Sequence, residues 1–87
     1  MAHPARKTDH PSTPLAAALR RGRARRKLTL AEVAARCAGV TPTAIWNYEN
    51  ARRVPSLDAL AKLGRVYQVR YLTLVRYARS SKAARAR

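Results

Sequence analysis

The sequence predicts an all-α fold, a compact bundle of five short helices. Three observations carry this. Apolar residues recur at helical spacing through most of the chain, and no alternating strand pattern or internal repeat appears. All five prolines fall outside the predicted helix interiors, where a proline would break the hydrogen-bond ladder. Thr29, Thr41 and Ser56 each stand just before an apolar periodic stretch, the position of a helix N-cap.

The first helix is expected from Leu15 to Lys27. Leu15, Ala18 and Leu19 form its inner face, continued by Gly22 and the stem of Arg23. Six of the eight residues from Arg20 to Lys27 are basic. The second helix covers Leu30 to Ala38. Thr29 caps it, and Glu32 three residues on completes a capping box. Leu30, Val33, Ala34 and Cys37 then fall on one face. Gly39 can take the positive φ of a tight turn. The third helix covers Pro42 to Asn50. Thr41 caps it, and Pro42 suits a first turn, where its missing N–H has no partner to lose. Ile45, Tyr48 and Glu49 share the inner face; Pro42, Thr43, Trp46, Asn47 and Asn50 share the outer one. Ser56 caps a fourth helix that runs to Tyr67, with Leu57, Leu60, Ala61 and Gly64 inward. Gly64 costs about 1 kcal/mol relative to alanine, the mark of close helix packing. A fifth helix starts near Arg70, and Tyr67, Tyr71, Leu74, Val75 and Ala78 follow one face across the join.

Two short helices joined by a tight turn, the second with a compact mixed outer face, have the shape that enters the DNA major groove. Leu28-Thr29, Glu32-Val33-Ala34, Gly39-Val40-Thr41, Ile45, Glu49-Asn50, Arg52-Arg53 and Pro55-Ser56 resemble the phage repressor and Cro family, the XRE-like helix–turn–helix proteins. The resemblance runs from about Leu15 to Leu74 and implies a lambda-repressor-like fold. Three departures stand out. Ala34 and Gly39 are five residues apart where the family has four, so Ala38 reads as a one-residue insertion in the turn. Ala51 occupies the usual glycine position after the recognition helix, and Leu30 replaces the common glutamine.

The resemblance implies roles. Pro42, Thr43, Trp46 and Asn47 occupy the positions that face base edges. Asn47 can bond adenine N6 and N7 bidentately, and Thr43 can touch a thymine methyl or a base-edge acceptor. A lone tryptophan is more often a core residue, but Trp46 lies three after Thr43, on the outward side. Arg23 is implied to pair with Glu49, since a buried glutamate is costly unless paired and arginine's planar fork fits a carboxylate. Thr41, at a helix N-terminus, and Asn50, Arg52 and Arg53 after the recognition helix are phosphate-binding candidates, with Arg20 and Lys27 on the first helix.

Eighty-seven residues make one small domain. Residues 1–13 read as a flexible leader, 14–79 as the folded domain and 80–87 as a basic tail. Leu, Val, Ala, Tyr and Trp must fill the core, because phenylalanine is absent. The net charge is +15, of which the leader carries +1, the tail +3 and the body +11. An excess of that size in so small a body points to a polyanionic partner. The single cysteine, Cys37, excludes an intramolecular disulfide and reads as a small core residue. His3 and His10 stand in the leader without other ligands near, so no metal, cofactor or small-molecule ligand is expected. No apolar run approaches the roughly 18 residues of a membrane span, and no signal-peptide core is present. No catalytic set is found: no nucleophile–base–acid arrangement, no glycine-rich phosphate loop and no paired carboxylates.

The expected function is sequence-specific binding of double-stranded DNA by a cytoplasmic, nucleoid-associated transcriptional regulator of a bacterial host cell, Cro-like or a small repressor. A palindromic operator would make it a homodimer. The competing reading is an antitoxin-like adaptor whose helix–turn–helix body mainly binds a protein partner.

Overall fold

The computed structural model describes residues 13–85, with side chains placed through Ser81. Five helices follow in order: α1 (Pro14–Arg26), α2 (Leu30–Ala35), α3 (Pro42–Glu49), α4 (Leu57–Tyr67) and α5 (Tyr71–Arg85). Among the described residues there is no strand. The fold is therefore all-α. Most of the leader and the last two residues of the expected tail lie outside the described residues.

Local chemistry starts four of the helices. Thr13, Thr29, Thr41 and Ser56 each accept a hydrogen bond from the N–H three residues on, at 3.0–3.1 Å. At α2 the capping box is complete, because the Thr29 N–H also donates to Glu32 Oε1 at 2.8 Å. Those bonds favour the ionised carboxylate and hold the Glu32 pKa below its usual range. Thr13-Pro14 repeats the Thr41-Pro42 start, so α1 begins one residue earlier than expected and Thr13 belongs to the fold.

Three helices stop in the same way. After α1, α3 and α4, the residue in the left-handed conformation is Lys27 (φ 54°), Ala51 (φ 57°) or Gln68 (φ 58°). After each helix the next two N–H groups reach back to its last carbonyls, as in Leu28 to Arg23 and Arg52 to Asn47. This is the Schellman arrangement, normally built on glycine. Gly39 (φ +83°) takes the corresponding freedom in the α2–α3 turn.

α1 packs on α3, α4 and α5, α2 on α3, and α4 on α5. The core holds Leu15, Leu19, Val33, Cys37, Ile45, Leu60, Leu63, Val66, Tyr67 and Leu74. Gly22 lets α1 approach α4: a Cβ there would lie 2.9 Å from the Tyr67 ring. A Cβ at Gly64 would stand 2.8 Å from the Val69 carbonyl, in the turn that leads into α5.

The structure corrects several expectations. α2 ends at Ala35, not Ala38, because the Arg36 and Cys37 N–H groups take short bonds to Val33 and Ala34 and bring Cys37 into the core. Ala38, read from the sequence as an insertion, lies in the exposed turn as expected, and its carbonyl accepts from Lys62 Nζ at 2.6 Å. Asn50 caps α3 rather than ending it. Leu57 is 61% exposed; α4 buries Ala59, Leu60, Leu63, Gly64, Val66 and Tyr67 instead. Trp46 lies on the outward side, as its spacing from Thr43 implied, so tryptophan takes no part in the core it was expected to help fill. α5 runs through the stretch expected as a tail, and Ser81 within it is buried. Its hydroxyl accepts from the Leu15 N–H at 2.9 Å and donates to the Tyr77 carbonyl, stapling the far end of α5 to the start of α1.

Candidate nucleic-acid interface

The candidate surface is built on α3, and its buried side fixes its pose. Ile45 enters the core, while Glu49 is only 3% exposed. Arg23 of α1 meets that carboxylate with its fork: Nε donates to Oε2 at 2.6 Å and Nη2 to Oε1 at 2.9 Å. Its third nitrogen donates to the Leu28 carbonyl at 3.1 Å, so one side chain joins α1, the α1–α2 turn and α3. Hydrogen bonding to Glu49 raises the Arg23 pKa further, leaving its charge permanent. Arg20, one turn earlier, donates to the Glu49 main-chain carbonyl. Two arginines of α1 thus hold the C-terminal end of α3, where its carbonyls are short of partners.

The other side of α3 faces outward. Pro42 and Thr43 are exposed, Trp46 is 41% exposed, and Asn47 and Asn50 are half-buried. Thr43 and Asn47, four apart, are neighbours on the helix, as are Pro42 and Trp46. The Arg52 guanidinium lies over the Trp46 indole, 5.3 Å from its centre, a cation–π contact worth about 0.5–1 kcal/mol at an exposed site. It turns Arg52 back from the loop onto the α3 face. Beside this pair, Leu30, Pro42, Thr43 and Trp46 line a cleft of about 260 Å³ where α2 meets α3.

The structure therefore brings together Thr41, Pro42, Thr43, Trp46, Asn47, Asn50, Arg52 and Arg53 on one helix and its following turn. Several have further tasks. The Thr41 hydroxyl caps α3. Asn50 Nδ2 donates to the Trp46 carbonyl at 2.8 Å. Arg20 clamps the end of α3 from α1, and Lys27 is exposed in the turn that closes α1. Arg53 is exposed. The Arg20 clamp was foreshadowed only by its spacing of three from Arg23. The Arg52–Trp46 stack spans a helix end, where no periodicity rule applies, and the cleft needs α2 and α3 packed to exist.

A helix–turn–helix domain model matches residues 14–79. The chain belongs to the helix–turn–helix domain family. The match covers all of α1 to α4 and most of α5, and it is consistent with the XRE-like resemblance. Comparison with curated proteins and with solved structures returns no match. Helix–turn–helix domains of this kind are typically DNA-binding and non-enzymatic, and α3 holds the place of the second helix of the motif. Among the described residues of this helix–turn–helix domain, no helix is long and apolar enough to cross a membrane. Nor do three metal-binding side chains cluster among them.

Proposed function

We propose that the protein is a sequence-specific regulator of transcription, Cro-like or a small repressor, that sets α3 in the major groove of an operator duplex. One observation carries the reading. The inner face of α3 is locked to α1 by the Arg23–Glu49 fork, while its outer face presents Pro42, Thr43, Trp46 and Asn47 beside Arg52 and Arg53. Base reading requires a rigidly held helix with small polar and apolar groups facing out.

In this reading Asn47 and Thr43 contact base edges, with Trp46 and Pro42 making apolar contact. Lys27, Thr41, Asn50, Arg52 and Arg53 hold phosphates and fix the register, joined by Arg20 of α1 where it meets the end of α3. The protein acts in the cytoplasm of a bacterial host cell, on the nucleoid. A second copy on a palindromic site supplies the other half of the contact. It has no catalytic role.

A gel-shift panel tests this with three probes: a random duplex, a random RNA and the DNA upstream of the protein's own gene. Retention of the upstream duplex at lower protein concentration than either random probe is the expected result. Equal retention of RNA and duplex would contradict it.

A further inference from the structure

α1 turns a second charged face away from α3. Arg23 points to Glu49, and Arg21 and Arg25 stand two residues to either side of it, about 200° round the helix. Both are exposed. They are neighbours of like charge on the helix, which weaken it unless an anion lies between them. None of the acids among the described residues meets them: Glu32 closes the α2 capping box, Glu49 holds Arg23 and Asp58 holds Lys62. α5 packs against α1 and α4, whereas α3 packs against α1 and α2, so α1 lies between α3 and α5. On α5, Thr73, Arg76, Tyr77 and Ser80 line a cleft of about 270 Å³, with Arg79 exposed one turn from Arg76. All four lining side chains end in hydrogen-bond donors, a guanidinium and three hydroxyls. The next residue, Ser81, is buried and accepts from the Leu15 N–H, which anchors this part of α5 to α1. Arginines and hydroxyls are the groups that bond phosphate oxygens. An acidic protein would need apolar area to bury at the centre of its contact, and no aliphatic side chain lines this cleft.

We propose that α5 and the outer side of α1 form a second nucleic-acid surface, which holds the sugar–phosphate backbone of another duplex, so that one chain joins two duplexes. A phosphate sits in the Thr73–Arg76–Tyr77–Ser80 cleft, and Arg21, Arg25 and Arg79 take further phosphates of the same duplex. Contacts to phosphate carry no sequence information, so the second duplex is held whatever its sequence. The inference rests on the reading that α3 holds the first duplex.

The test uses the full chain, a bead-bound duplex carrying a site selected from random sequences, and a fluorescent random duplex in solution. Gel retention reports binding of the selected duplex alone, and fluorescence on the beads reports capture of the second. The wild-type chain should capture it. The variant Arg21→Ala/Arg25→Ala/Arg76→Ala should retain the selected duplex nearly as well but capture far less, with the salt slope of capture lower by about 3, at roughly 0.9 for each phosphate contact. Arg76→Ala alone, at an exposed position, should lower that slope by about 1. The variant Arg36→Ala/Arg65→Ala/Arg70→Ala removes the same charge from other exposed positions and should capture as the wild type does. Circular dichroism melts check that each variant is folded. Capture that survives the first triple variant would overturn the proposal, since two copies each using α3 would then join the duplexes. Equal loss in both triple variants would overturn it too, leaving net charge as the cause. A wild-type chain that retains the selected duplex and captures no second one would sink the second surface while α3 stands as the reader. If no site is selected, the reading of α3 falls and this inference with it.

Discussion

At the residue scale, the Arg23–Glu49 pair decides whether α3 is held at all. Glu49 is buried, so removing Arg23 leaves an uncompensated charge, and removing Glu49 leaves the guanidinium fork without its acceptor. Glu49→Ala is expected to cost about 3–5 kcal/mol, the range for a broken buried pair. Thermal melts of Arg23→Ala, Glu49→Ala and the double variant should be strongly non-additive; small additive losses would show two independent charges. Tyr67 gives a second prediction. Its hydroxyl is buried and has no hydrogen-bond partner among the described residues. Burial pushes the phenol pKa up, and the nearby Glu49 charge adds to this. The raised pKa means that the folded state resists ionisation. This stability is complete below the ordinary phenol value near pH 10 and is lost as pH rises above it, where only the unfolded chain ionises freely. Tyr67→Phe removes both the orphan hydroxyl and that alkaline loss. The variant should be about 1 kcal/mol more stable at pH 7, and its advantage should grow in melts above pH 10. A less stable Phe variant at pH 7 would show that the hydroxyl is satisfied.

At the scale of elements, the starts of helices were legible and some ends were not. Thr29, Thr41 and Ser56 cap the helices they precede because a cap needs only a hydroxyl and an N–H three residues on. The end of α2 depends instead on Cys37 being drawn into the core and on Lys62 reaching Ala38 from another helix. The buried arc of α4 illustrates the same limit. The pattern Leu57, Leu60, Ala61, Gly64 and the observed arc share Leu60 and Gly64, and only packing against α1 and α5 decides which neighbours turn inward. On α3 the outer face was readable because periodicity fixes it, whereas the Arg52 stack and the Leu30 cleft required the folded chain. Lys62→Met tests how the α2–α3 turn at Ala38 is held. Losing the bond to the Ala38 carbonyl should cost about 0.5–1.5 kcal/mol; the Lys62–Asp58 surface pair adds little, since Asp58 is exposed. An unchanged melting temperature would show that the turn holds itself. Gly22→Ala tests the approach of α1 to α4. Helix propensity alone would favour alanine by about 1 kcal/mol. The Tyr67 ring in its way should turn that gain into a loss of about 1–3 kcal/mol, seen by denaturant unfolding. A gain would mean that the two helices are not in close contact.

At the scale of the whole molecule, a net charge of +15 supplies attraction to any duplex, and α3 is proposed to supply the preference for one. The two contributions separate in salt, because each phosphate contact adds roughly 0.9 to the slope of log affinity against log salt, whereas base-edge contacts add almost none. The composition made the attraction plain from the start. The preference was readable only as a set of positions, since it depends on how firmly α1 holds α3 and on what α2 places beside it. The central claim is that the outer face of α3 reads bases while the turn after it binds the backbone. The measurement that bears on it most directly is a salt titration of binding to a selected site and to random duplex for Asn47→Ala and Arg53→Ala. Asn47→Ala should weaken the selected site by about 1–3 kcal/mol and leave random duplex nearly unchanged, with the salt slope preserved. Arg53→Ala should weaken both duplexes alike and lower the slope by about 1. Equal loss on both duplexes for Asn47→Ala would contradict the account, because α3 would then contribute contact without reading sequence.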